Sequence, residues 1–233
     1  MTLVPPFGPR DAKIVIVGEA PGETEEKLLR PFVGASGQSL RESLSSVGII
    51  PDQCYMTNVI KHRPPRNDAS ALISLDGKPK ISQEFYAYQN ALKEELSQLS
   101  PNVILAVGGI SLFALTGKIG IMKYRGSILE STLLPGRKVI PLIHPAAALR
   151  EYTLTHLINN DLVRTKEESA FPELNLPEYN IVMKPSFSEA MAHLERLNTV
   201  PYVSFDIEVV SKSLECFALA WSPTDAVCFA LYD

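Results

Sequence analysis

The chain is short of cysteine, of positive charge and of long apolar runs, and each shortage closes off a class of protein. Its 233 residues include only three cysteines, Cys54, Cys216 and Cys228. None lies in a CxxC or other tight ligand spacing, so they read as reduced, buried thiols. The formal net charge is −4, so the molecule is not basic as a whole. Phosphate contact is then a matter of a local basic patch. No apolar stretch approaches the roughly 20 residues that span a bilayer. The start, MTLVPPFGPR, lacks the charged head and apolar core of a signal peptide, which predicts a cytoplasmic protein (host-cell cytoplasm for a phage-encoded chain) with no membrane partner. Neither a GxGxxG fingerprint nor a P-loop occurs, and an ordinary nucleotide-binding α/β protein would need one.

What is present is an ordinary globular composition, 45% hydrophobic and 21% charged. Four short apolar runs, "KIVIVG" (13–18), "CYMTNVI" (54–60), "NVILAVG" (102–108) and "KVIPLIH" (138–144), read as buried parallel strands. Helical patterns separate them. Leu40, Leu44 and Val47 share a face over 36–48. Phe85, Leu92, Leu96 and Leu99 do so over 82–99, and "ISLFALTG" (110–117) is a short helix. The alternation predicts an α/β domain with a central parallel four-stranded sheet flanked by helices. Ligands of such sheets bind beyond the carboxyl ends of the strands. The unusual residues fall there: Glu19, Asn58, Gly108 with Gly109, and His144. Asp76-Gly77 is a hairpin-type turn and predicts a surface excursion over residues 67–82.

Beyond Leu157 the pattern turns polar and carries two prolines, which predicts a linker. The expected division is a first domain at 1–165, a linker at 166–177 and a second α/β segment at 178–233. That second segment runs strand, helix, strand and then a hairpin.

The strand-end motifs together resemble the uracil-DNA glycosylase superfamily, in particular its family 4 branch. They are "GEAPGETEEKLLRPFVGASGQSL", "TNVIKHRPPRN" (57–67), "NVILAVGGISLFALTG" (102–117) and "HPAAALR" (144–150), and they cover about residues 10–165. "SFDIEVV", with Asp206 and Glu208, resembles the first strand of the 3′–5′ exonuclease domain of family A DNA polymerases. That order of domains resembles the N-terminal part of certain phage DNA polymerases. The exonuclease start is expected to be truncated here, so Asp206 and Glu208 form an incomplete site for a divalent metal such as Mg2+.

The resemblance implies a role for each motif residue. Excision needs the base out of the stack and in a closed pocket. Phe32 would stack on it, with Ala20 beside it in the base pocket. Asn58 would read uracil, giving N–H to O4 and accepting from N3–H, where cytosine presents the opposite pattern. Glu19 would face the sugar cation and orient water, while His144, as a neutral donor, would support the charge on uracil O2. Glu25 could bond the pocket loop or be a solvated acid. Gly34, Ser36 and Gly37 would hold a DNA phosphate on backbone N–H groups. Lys61, Arg63 and Arg66 would contact phosphates, and Leu149 with Arg150 would wedge into the duplex.

Family 4 members carry an iron–sulfur cluster on four cysteines. This chain has no cysteine in its first ten residues, His62 where that family has one, and Tyr88 near the fourth position. No cluster is expected. The expected activity is monofunctional excision of uracil or a related modified pyrimidine from DNA, by a monomer. DNA is the expected partner, along with polymerase domains and replication proteins. The alternative is a non-catalytic DNA-binding or uracil-sensing module of a DNA polymerase.

Overall fold

A computed structural model describes residues 2–176 and 178–231. Pro177 of the expected linker, and Tyr232 and Asp233 of the expected last strand, lie outside the described residues. The chain divides into two compact units, residues 1–174 and 175–233.

The first unit runs β1 (Ile14–Gly18), α1 (Glu23–Leu28), α2 (Ala35–Ser46), β2 (Tyr55–Asn58), β3 (Ile73–Ser74) and β4 (Lys80–Ile81). It continues through α3 (Gln83–Ser97), β5 (Val103–Val107), α4 (Gly109–Thr116), α5 (Ile121–Tyr124), β6 (Leu129–Glu130), β7 (Lys138–Leu142), α6 (Pro145–Ala148) and α7 (Leu154–Glu168). The four expected strands form a parallel sheet in the order β2-β1-β5-β7. The structure adds β6, a two-residue antiparallel edge strand on β7. A sheet with both faces covered needs apolar residues in both phases of the strand, and β1 is buried throughout. Ile14 and Ile16 pack with Leu40 and Leu44 of α2 and Ile158 and Leu162 of α7. Val15 and Val17 pack on the other face with Phe85, Leu92 and Leu96 of α3 and Leu115 of α4.

Two expectations are corrected. The start of the supposed linker is helix: α7 runs to Glu168, and the unit boundary falls after Leu174 rather than at 165. Its buried face, Ile158, Asp161, Leu162 and Thr165, has helical spacing, but half of it is polar. Arg125 neutralises Asp161 through bonds of 2.6 and 2.9 Å, and the Thr165 hydroxyl donates to the Asp161 carbonyl. The excursion at 67–82 does contain a hairpin, β3–β4, turned by Gly77 at φ +67°. It is not only surface, because Ser74 and Leu75 face the main pocket.

The second unit comprises β8 (Asn180–Met183), α8 (Phe187–Leu197), β9 (Ser204–Val210), β10 (Ser213–Ala220) and β11 (Asp225–Ala230). Its sheet order is β8-β11-β10-β9, with β8 parallel to β11 and the other pairs antiparallel. The β9–β10 turn uses Ser211 and Lys212, both at positive φ, as a tight hairpin requires. Asp206 and Glu208, two apart on β9, share one exposed face.

Candidate active site

The site is built at the carboxyl ends of β1, β2, β5 and β7. A pocket of about 690 Å3 opens there and gathers Glu19, Ala20, Phe32, Asn58 and His144. Asn58, the last residue of β2, is 6% exposed. Among the described residues its side-chain amide makes no hydrogen bond, so both its donor and its acceptor face the pocket unpaired. A buried amide left this way signals a missing ligand.

Phe32 lies in the loop between α1 and α2 and is 8% exposed. Its φ of +55° is left-handed, a conformation that bulky residues rarely adopt. Two glycines make the position tenable. A Cβ on Gly37 would strike the Phe32 backbone, and one on Gly18 would strike both the Phe32 ring and the Asn58 Oδ1. The base-facing pair is thus fitted around the bare Cα of Gly18.

Glu25 resolves the reading left open for it. It is buried, and its Oε1 accepts from the amides of Val33 at 3.1 Å and Gly34 at 2.8 Å. Its Oε2 accepts from the Gly22 amide at 3.2 Å. One carboxylate therefore staples the start of α1 to the Phe32 loop. The Gly22-to-Glu25 spacing, N-cap to third helical residue, is the sequence signal that could have found it.

Glu19 follows β1, and its Oε1 accepts from the Ile110 amide at 3.1 Å, at the start of α4. His144 caps α6. Its Nδ1 accepts from the Ala146 amide at 3.2 Å, so Nδ1 carries no proton and the Nε2–H is the ring's donor. Burial pushes the His144 pKa below the ordinary imidazole value, more than the Glu19 carboxylate raises it. The histidine is therefore neutral at physiological pH.

The basic cluster divides. Lys61 does not face the pocket. Its side chain is 11% exposed and is paired with Glu95 on α3 at 2.5 Å, with a further bond to the Thr57 hydroxyl. Burial lowers its pKa, and Glu95 offsets this in part. The expected phosphate contact is thus corrected for Lys61: its charge is already answered inside the fold. Arg63 is shared with Glu23 and Glu26 at 3.6 and 3.7 Å. Arg66 is exposed at φ +56°, and Arg150 is exposed and lines the pocket. The helix start is corrected too. The Gly34 N–H, expected to face a phosphate, belongs to Glu25, and Gly37 is buried, whereas Ser36 lines the pocket.

A four-cysteine iron–sulfur cluster does not fit this chain. Cys54 stands alone in the first unit, and Cys216 and Cys228 lie on β10 and β11 of the second. Such a cluster needs four thiolates. His62 instead accepts or donates a 2.6 Å bond with the Tyr88 hydroxyl, which also reaches Glu84 at 3.1 Å. Among the described residues no group of three or more His, Cys, Asp or Glu side chains is arranged to hold a metal ion.

The fold and these strand-end residues are those of a base-handling α/β domain, and comparison with known proteins gives the family. The sequence model of the uracil DNA glycosylase superfamily matches residues 5–165. The type-4 uracil-DNA glycosylase of Thermotoga maritima is 36% identical over 163 residues, covering 68% of this chain and 79% of that protein. The type-4 enzyme of Archaeoglobus fulgidus is 35% identical over 171 residues, covering 70% of this chain and 80% of that protein. A DNA polymerase of Bacillus phage SP01 is 28% identical over 240 residues, covering 93% of this chain and 24% of the polymerase. The chain belongs to the uracil DNA glycosylase superfamily.

Proposed function

We propose that this chain is a monofunctional glycosylase that removes uracil, or a closely related pyrimidine, from DNA by hydrolysing the N-glycosidic bond. The observation that carries the reading is the unpaired Asn58 amide in a pocket shared with Phe32, Glu19 and His144. The base enters by flipping out of the helix and stacks on Phe32. Asn58 gives N–H to uracil O4 and accepts from N3–H. Cytosine presents the reverse pattern and leaves the amide mispaired, at about 1–3 kcal/mol.

The C1′–N1 bond breaks with its electron pair going to the uracil ring. The neutral His144 donates from Nε2 to the O2 that gathers this charge, and the Glu19 carboxylate stabilises the sugar cation. Water oriented by Glu19 adds its oxygen to C1′ and gives up a proton, leaving an abasic site. Among the described residues no lysine lines the pocket, so no Schiff base forms and the backbone is not cut.

Two variants test this on uracil-containing oligonucleotides, with cleavage revealed by alkali. Asn58→Ala should lose both uracil-selective binding and excision. Glu19→Gln keeps the shape and loses the charge, so excision should fall by about 100-fold or more while binding survives.

The alignment with a phage polymerase over 93% of the chain supports a second reading. In it, the chain is part of a replication polypeptide with further polymerase domains, and its second unit is exonuclease-like, with Asp206 and Glu208 as an incomplete metal pair. The same pocket would then sense uracil in template without excising it. Selective binding by the wild type, no excision, and no effect of Glu19→Gln would favour that reading over the enzyme.

A further inference from the structure

Two exposed side chains stand at the pocket rim where the chain turns from α6 into α7. Leu149 is 57% exposed and Tyr152 78% exposed. Their neighbours Ala146 and Arg150 line the pocket. Leu149 and Tyr152 themselves line an adjoining groove of about 490 Å3 against α2. Ser36 belongs to the pocket and Ala35 to the groove, so the two concavities meet at the start of α2. The turn is held by backbone bonds, with the Glu151 amide on the Ala147 carbonyl at 2.9 Å and the Thr155 amide on the Tyr152 carbonyl at 3.0 Å. Tyr152 is therefore presented on a fixed backbone. Among the described residues its hydroxyl has no hydrogen-bond partner and its ring no aromatic one.

The groove's chemistry narrows its occupant. Its polar side chains include Gln38, Ser39, Ser43, Thr155 and the carboxylate of Glu42, with no lysine or arginine among its lining residues. A phosphate would meet a carboxylate there and no cation, whereas an uncharged base has a π-face for the tyrosine ring and edges for hydroxyl and amide groups.

We infer that Tyr152 is the second half of the duplex-opening wedge and stacks on the base left without a partner on the opposite strand. This rests on the glycosylase reading above. Leu149 enters the space vacated by the flipped nucleotide, as apolar wedges do, and Tyr152 holds the orphaned base so that the pair cannot re-form. The inference concerns duplex DNA only, because a single strand has no orphaned base.

The test compares Tyr152→Ala and Tyr152→Phe with wild type in single-turnover excision of one uracil, placed opposite guanine in a duplex or alone in a single strand. Tyr152→Ala should lose about tenfold on the duplex and less than about twofold on the single strand, the range expected from loss of one base–aromatic stack. Tyr152→Phe, which keeps the ring, should match wild type on both. Equal losses on both substrates, or none on the duplex, would overturn the inference. A second arm places 2-aminopurine opposite the uracil and follows its fluorescence on binding. Wild type and Tyr152→Phe should quench it and Tyr152→Ala should not; equal signals from all three would overturn the stacking role. If the wild type excises nothing, the glycosylase reading fails, and the fluorescence arm still decides where Tyr152 sits.

Discussion

The Glu19 carboxylate occupies the space where a side chain on Gly108 would stand. A Cβ on Gly108 would collide with Glu19 Oε1, and Gly108 also holds φ at +95°. The carboxylate comes from the end of β1 and the glycine from the end of β5, two neighbouring parallel strands. The acid's position is thus set by a missing atom on the adjacent strand.

Gly108→Ala should therefore displace Glu19 from the Ile110 amide without touching the base-reading residues. We expect excision to fall by about 100-fold, close to the effect of removing one preorganised electrostatic group, with uracil binding changed far less. Single-turnover excision and binding measured side by side check this. A parallel loss of both would mean that the strain at φ +95° has damaged the whole pocket.

Gly18→Ala should fail in the opposite sense. Its new methyl group would push on the Phe32 ring and the Asn58 carbonyl oxygen together. Overpacking of this kind costs about 1–3 kcal/mol in stability, and both base contacts move at once. Uracil affinity and discrimination against cytosine should fall together, while the Glu19 bond to the Ile110 amide is retained. Competition binding with uracil and cytosine oligonucleotides measures it.

Much of this arrangement was legible in the sequence, and the misses have physical causes. The four parallel strands announced themselves because a sheet covered on both faces requires unbroken apolar runs, as in β1 and β5. Helix α7 was hidden because Asp161 and Thr165 occupy its buried face, and their partners, Arg125 and the Asp161 carbonyl, cannot be read from a local pattern. Lys61 looked like surface charge because its counter-ion, Glu95, lies 34 residues further along the chain. Glu25 could be read either way until the Val33 and Gly34 amides were seen to converge on it. The β3–β4 hairpin carried a clear turn signal, but the turn says nothing about which side of the domain it folds over.

Glu25 gives a test of loop preorganisation. Glu25→Ala would leave the Gly22, Val33 and Gly34 amides without their acceptor, at about 1–3 kcal/mol for each group that water cannot reach. The melting temperature should drop, and KM should rise more than kcat falls, because the Phe32 loop must be re-formed on binding. Glu25→Gln, which keeps one acceptor oxygen, should recover part of both. Unchanged KM with reduced kcat would instead place Glu25 among the reacting groups.

The His144 geometry sets a pH dependence. The active form proposed here is neutral, with Nδ1 accepting from the Ala146 amide and Nε2–H free to donate. Protonation would replace the Nδ1 lone pair with a proton facing that amide. Burial lowers the His144 pKa below 6.5, so kcat should stay level as pH falls through 6.5 and decline only at more acid pH. The neighbouring Glu19 carboxylate raises the same pKa. In Glu19→Gln the residual activity should therefore have its acid limb at still lower pH. A limb that moves upward, or that persists unchanged in His144→Ala, would assign it to another group.

The last prediction concerns the ion pair that fastens α7. Arg125 donates to both oxygens of Asp161 and to the Leu157 carbonyl at 3.0 Å, and the Asp161 side chain is almost fully buried. Removing one partner of a buried pair strands the other charge, at about 3–5 kcal/mol. Arg125→Met should therefore destabilise the fold strongly in denaturant unfolding at pH 7.5. The double variant Arg125→Met with Asp161→Leu should recover much of the loss, since it leaves no charge behind.

The pH response separates this from simple loss of packing. Burial raises the Asp161 pKa to about 6, against the opposing pull of Arg125. A carboxyl whose folded pKa lies above its unfolded value contributes stability below the unfolded value, and that contribution is lost as pH rises through the folded one. Without the guanidinium the folded pKa rises further, so the deficit of Arg125→Met should shrink as pH is lowered from 7.5 towards 5. The double variant, having no carboxyl at 161, should lack that dependence. An Arg125→Met deficit that stays constant over this range would mean that the arginine acts through its bond to the Leu157 carbonyl and its packing rather than through the charge of Asp161.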